Sequence, residues 1–94
     1  MKEYFIYIMA NASRMTYVGV TNNVERRAWQ HRQREGDSFT AQYGLTLLVH
    51  IEEFANVNDA IAREKQLKGW TKAKKRALIE RANPDWLDLS AEWR

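Results

Sequence analysis

Two short runs rich in aromatic and β-branched side chains, Glu3 to Ala10 and Thr16 to Val20, flank the turn-forming Asn11-Ala12-Ser13. That arrangement reads as a β-hairpin. With the loop centred near Ala12, antiparallel pairing sets Tyr7 opposite Tyr17, and directly paired residues share one face of a sheet. A slip of one residue would put them on opposite faces.

The rest of the chain must cover this hairpin. Asn22, with Glu25 three residues on, resembles a capping box with Asn in the Ser/Thr place, and predicts a helix running to about Arg34 and ended by Gly36-Asp37-Ser38. Arg27 and His31 lie four residues apart on that helix and so share a face. Leu45 to Glu53 reads as a third strand, its nearly continuous apolar run suited to a sheet covered on both sides. A second helix is expected from Asn56 or Asn58 to Gly69, and a third from a Thr71 cap to just before Asn83-Pro84. The tail after Asp85 carries Trp86, Leu87, Leu89 and Trp93, enough apolar area to pack on the body. The expected fold class is therefore α/β (α+β): a small three-stranded, mostly antiparallel sheet flanked by helices, in the order β-β-α-β-α-α.

With 94 residues there is room for one core, so residues 1–94 are expected to form a single domain. The content of 45% hydrophobic and 29% charged residues is that of a globular chain and argues against disorder. No cysteine is present, which excludes both a disulfide framework and a thiolate zinc site. The longest apolar stretches, Tyr4 to Ala10 and Leu45 to Ile51, are far shorter than the roughly 18 residues of a membrane span, and no secretory signal is evident. A cytoplasmic monomer with no membrane partner is expected. The net charge is only +3, but between Arg63 and Arg81 eight Lys or Arg face two Glu, a local +6. Such a segment points to a polyanion partner, or more simply to a solvated helix face.

Phe5-Ile6-Tyr7 and, after nine intervening residues, Tyr17-Val18-Gly19, with Arg27 and His31 on the next helix and Glu64 on a later one, resemble the motif set of the GIY-YIG nuclease superfamily. The stretch from Tyr17 to Arg27 together with Arg63 to Trp70 looks more narrowly like its small stand-alone bacterial members, which are similar to the N-terminal nuclease domain of a DNA-repair excinuclease. Phe5 stands where the first motif opens with glycine, and Val18 where the second has isoleucine. The resemblance implies a phosphodiesterase of DNA repair or processing that holds one Mg²⁺ or Mn²⁺ ion on a helix glutamate, here Glu64. Independently, Ile61, Glu64 and Leu67 at i, i+3 and i+6 put that carboxylate on or beside an apolar stripe, where a cation must meet it. A divalent ion would serve. A salt bridge to an arginine such as Arg27 would serve as well.

Arg27 matches the family's catalytic arginine, whose planar fork suits phosphate oxygens. Tyr7 and Tyr17 match the two motif tyrosines, one of which is to take a proton from the attacking water, with Tyr17 the slightly preferred base and Tyr7 orienting it. A free phenol has a pKa of about 10, so a neighbouring Arg27 or the metal has to lower it. His31 is placed to relay that proton or bind phosphate, or else is an ordinary helix-surface histidine. Tyr43 is placed at the rim of the site, and His50 is read as structural.

Arg26, Lys68, Trp70, Lys72, Lys74, Lys75 and Arg76 interleave cations with an aromatic as nucleic-acid surfaces do, although a tryptophan is as readily part of the core. The partner expected is DNA more than RNA, recognised by structure more than by base sequence, with a protein partner to supply targeting. The competing readings are a catalytically weak or inactive nucleic-acid-binding module using the basic 63–81 segment, and a protein adaptor docking by its Trp-rich tail.

Overall fold

The sheet has three antiparallel strands in the order β2-β1-β3, with β1 at Tyr4–Ala10, β2 at Thr16–Thr21 and β3 at Leu47–Phe54. This computed structural model describes residues 3–34 and 38–93. Around the sheet lie α1 (Val24–Arg32), α2 (Ser38–Tyr43), α3 (Val57–Lys68), α4 (Lys72–Ala82) and a final 3₁₀ turn, Ala91–Trp93. No helix among the described residues is long and apolar enough to cross a membrane.

The hairpin register differs from the expected one. Tyr7 pairs with Gly19 and Tyr17 with Met9, because the loop spans residues 11–15 and is centred on Ser13. Moving the centre by one residue moves each partner by two. Two residues along a strand restore the same face, so Tyr7 and Tyr17 still lie side by side, on the diagonal. Asn11 closes the loop: its backbone pairs with Met15, its Oδ1 accepts from the Met15 amide at 3.0 Å, and Arg14 takes a left-handed φ of 63°.

β1 is the central strand, and its Ile6 to Ala10 are all buried. Alternation sends Ile6, Ile8 and Ala10 to one face, against Val18, Val49, Leu67 of α3, Ile79 of α4 and Trp86. Tyr7 and Met9 go to the other, against Val24 and Ala28 of α1, Leu45 and Leu48. Each such fully buried apolar side chain contributes about 1.5–3 kcal/mol of transfer free energy. The continuous apolar run of β3 fits the expected cover on both faces of the sheet, with Leu47 and Val49 in one core and Leu48 and Ile51 in the other. β3 is not a central strand; a bulge pairs Met9 with Leu48 and Ile8 with His50, so Val49 is an extra residue and consecutive residues reach opposite cores.

Element ends also shift. Asn23, not Asn22, caps α1, its side chain accepting from the Arg26 amide. The expected stop at Gly36-Asp37 lies outside the described residues, and α1 already ends at Gln33. α2 has no counterpart in the expected order, and it delays β3 from Leu45 to Leu47. It stops at Gly44, whose φ of 63° allows the Leu45 amide to reach the Thr40 carbonyl at 3.0 Å, a Schellman closure. α3 is capped by Asn56 and ends at Gly69 as expected, although Gly69 stays right-handed with φ −85°. Thr71 caps α4.

The tail is held by polar contacts more than by apolar area. Trp86 is buried, but Leu87 is 64% exposed and Leu89 and Trp93 are also exposed. Leu89 donates to the Leu48 carbonyl, Asp88 Oδ1 accepts from the Leu48 amide, and Asn83 Nδ2 donates to the Val49 carbonyl. These contacts close the outer side of β3 at its bulge.

Candidate active site

α1 leaves β2 through a short connection and lays its Val24–Ala28 side on the Tyr7 face of the sheet. That brings the next turn of the helix over β1. Tyr7, only 1% exposed, has its hydroxyl 3.4 Å from Arg27 Nη2 and 3.3 Å from His31 Nε2. Arg27 also donates to Gln30 Oε1 at 3.0 Å, which fixes its guanidinium along the helix. Tyr17 completes an aromatic triangle, its ring centroid 6.4 Å from that of Tyr7 and 5.8 Å from His31. His31 is 2% exposed, which rules out the helix-surface alternative.

Gly19 makes this packing possible. A Cβ built there would fall 2.5 Å from the Tyr7 ring and hydroxyl, well inside contact distance. Sequence reasoning assigned Gly19 no role of its own, although a glycine inside a strand is a signal of close approach.

Glu64 approaches from the other side of the hairpin, on α3, which packs along β2. Its carboxylate pairs with Lys68, one turn on, at 3.2 Å and is 23% exposed. The cation that meets Glu64 is thus Lys68 and not Arg27. Lys68 belongs to the same locale, its ammonium 5.8 Å from the Tyr17 ring. Burial pushes the Tyr7 phenol above its usual range; the Arg27 hydrogen bond and charge pull it down without cancelling that effect, while Tyr17 and Glu64 add to the rise. Arg27 thus lowers Tyr7 in the expected direction, but desolvation outweighs one partly solvated cation and the net shift is upward.

The basic segment does not form one surface. Lys68 faces the tyrosines. Lys74 and Arg63 both lie over the Trp70 ring, at 4.4 and 5.1 Å, and Trp70 itself packs partly against the core. Arg63 also grips Glu52 through Nε and Nη2 at 2.8 and 3.0 Å, with His50 on the same carboxylate at 2.8 Å. Burial raises the Glu52 carboxyl, but those bonds outweigh it and hold the group below its usual value. Lys72, Lys75 and Arg76 instead line a cavity beneath the hairpin loop. Arg26 is exposed on α1. Tyr43, expected at the rim, packs its ring on Phe39 at 5.0 Å, and its carbonyl accepts from Asn11.

The GIY-YIG catalytic domain matches residues 3–77. Among similar proteins, a UPF0213 protein of Natronomonas pharaonis is 35% identical, covering 82% of this chain and 91% of its own length. Those of Haloquadratum walsbyi and Staphylococcus haemolyticus are 36% and 30% identical over 85% of this chain, with 91% and 98% of their own lengths covered. No solved structure matches the chain. The order of Tyr7, Tyr17, Arg27 and Glu64 along the chain, the three-stranded antiparallel sheet with its flanking helices and these matches agree, and the chain belongs to the GIY-YIG family of nuclease-type domains, among its small UPF0213 members.

Proposed function

We propose that this protein is a structure-selective endonuclease that hydrolyses phosphodiester bonds in DNA with one Mg²⁺ or Mn²⁺ ion, in repair or processing of DNA. The observation that carries the reading is the meeting of the Tyr7 hydroxyl with Arg27 and His31, beside Tyr17 and within electrostatic reach of Glu64.

The residues present fit a hard divalent ion. Glu64 offers a partly exposed oxygen donor. One carboxylate, substrate oxygens and water make the ligand set such ions accept in phosphoryl chemistry. When bound, the ion would stabilise charge on the phosphate. Arg27 presents its fork to the non-bridging phosphate oxygens as negative charge builds there. Tyr7 stays a neutral phenol and serves as a fixed post: Arg27 donates to its oxygen, and the hydroxyl shares a hydrogen bond with His31 Nε2. Tyr17, half-buried beside the Lys68 ammonium, acts in its phenolate form: it takes a proton from water as the water oxygen bonds to phosphorus, the bridging P–O bond breaks, and the leaving oxygen is protonated from solvent. Lys68, Lys72, Lys74, Lys75, Arg76, Arg26 and Trp70 hold the strand by its backbone.

The Glu64–Lys68 pair favours one second reading, a binding module with little catalysis, since it neutralises the carboxylate a metal needs. Labelled nicked, flapped and duplex DNA, incubated with Mg²⁺ or Mn²⁺, separates the two. Cleavage by the parent and its loss, by at least about 100-fold, in Glu64→Ala and Arg27→Ala are expected, with circular dichroism unchanged. Equal cleavage by both variants rejects the site. DNA retained in EDTA with no cut under any metal selects the binding module.

A further inference from the structure

Three of the cations assigned to the strand's backbone, Lys72, Lys75 and Arg76, also line a cavity whose apolar walls that role leaves unused. The cavity, of about 330 Å³, opens between the β1–β2 loop, α2 and the start of α4, and it is lined by Arg14, Lys72, Lys75 and Arg76 with Met15 and Phe39 as apolar walls. No acidic side chain among the described residues lines it. Its volume lies at the lower end of the roughly 300–1,000 Å³ of small-molecule sites.

The cationic side of this cavity runs against what helix stability favours. α4 begins Lys72-Ala-Lys-Lys-Arg76 with no acid in its first turn, so four cations sit at the positive end of the helix dipole, some of them one turn apart. An anion in the cavity would relieve that repulsion. On the wall opposite, Arg14, in its left-handed conformation, pairs with Glu80 at 3.4 Å and lies over the Trp86 ring at 4.9 Å. Phe39, 41% exposed, supplies a ring at the mouth. Thr16, which lines the cavity, pairs with Ala10 on the Ile6–Ile8 face of the sheet, opposite the face of Tyr7 and Tyr17, and the Gly69–Thr71 turn carries the chain from Lys68, beside the Tyr17 ring, to Lys72.

We propose that this cavity receives one unpaired nucleotide of the substrate strand, its base against Phe39 and Met15 and its phosphate among Lys72, Lys75 and Arg76. The inference rests on the nuclease reading for the path of the strand, and it makes an unpaired nucleotide the feature that a structure-selective enzyme of this kind reads.

Fluorescence anisotropy in EDTA tests it with two labelled probes of equal charge, a single-stranded oligo-dT of about ten nucleotides and an abasic backbone of the same length. The parent should prefer oligo-dT by about tenfold, the scale of base–aromatic stacking. Phe39→Ala should bring the two probes to within about twofold of each other by weakening oligo-dT alone. Phe39→Leu, which keeps apolar packing but not the ring, should do the same. A Lys75→Glu/Arg76→Glu protein should weaken both probes together. A parent with no preference, or a preference that survives both Phe39 variants, overturns the proposal. Neither probe needs a metal or a cut, so the two readings fail separately. Ring-dependent preference in a protein that cleaves nothing supports the cavity and sinks the nuclease, whereas Glu64-dependent cleavage with a ring-independent preference sinks the cavity alone.

Discussion

Tyr7 shows how a single side chain can be anticipated in place and misjudged in character. Strand alternation sufficed to put it on the face of Tyr17, since an error of two in the register leaves the parity intact. Its chemistry was not legible, because desolvation depends on what α1 places above it. With burial outweighing Arg27, its proton is held more tightly when folded than when unfolded, so this group's contribution to stability is complete below the usual value of 10.0 and is lost as pH rises through the raised folded value. Urea midpoints from pH 9 to 11 should fall more steeply in the parent than in Tyr7→Phe. Gly19→Ala should force the ring aside and destabilise by about 1–3 kcal/mol, read in a urea melt, with cleavage reduced further than stability alone explains. Arg27→Lys keeps the charge and loses the fork, and should cost about 100-fold in kcat.

Helices, strands and turns were legible where side chains near in sequence decide them. Asn56 and Thr71 satisfy the first amides of α3 and α4; Thr71 is recognisable as a cap from the sequence alone, whereas Asn56 shares that signal with Asn58. α1 was displaced by one residue because Asn22 and Asn23 are chemically equivalent candidates, and only the preceding strand decides which of them turns the chain. Asn23→Ala should lower stability by about 1 kcal/mol in thermal melts, with Asn22→Ala closer to neutral. α2 escaped because its six residues include Phe39, Thr40 and Tyr43, poor helix formers that only the packing of Leu45 and the closure at Gly44 hold in place. Gly69 offers the converse. Its φ is ordinary and an added Cβ would meet only the Gln66 carbonyl at 3.5 Å and the Lys65 carbonyl at 3.8 Å, so Gly69→Ala should stabilise by about 0.4–1 kcal/mol in the same assay.

At the scale of the molecule, the basic segment that looked uniform in sequence is divided by helix geometry. Residues three and four apart on α4 fall on the cavity side or over Trp70, and α3 directs Lys68 back to the tyrosines. Periodicity contains that division, but which side meets which neighbour depends on the Gly69–Thr71 turn, and a turn's direction is not written in charge alone. If about four of these cations meet phosphates, duplex affinity should fall with a log–log salt slope of roughly −3 to −4. The Arg63–Glu52–His50 cluster joins α3 to β3 and adds a pH limit of its own. Glu52 ionises more readily folded than unfolded, so its contribution is present above the usual 4.5 and is lost as pH falls through the lowered folded value. Acid titration monitored by tryptophan fluorescence should show the parent losing more stability across that range than Glu52→Gln.

β3 lies at the outside of a sheet, where exposed main-chain groups would ordinarily invite a neighbouring molecule to add a strand. Here Asp88, Leu89 and Asn83 already occupy those groups around Leu48 and Val49, so the protein seals itself with its own closing residues. Self-association along this flank is blocked while the seal holds, and Asp88→Ala should begin to release it as a rise in sedimenting mass with concentration.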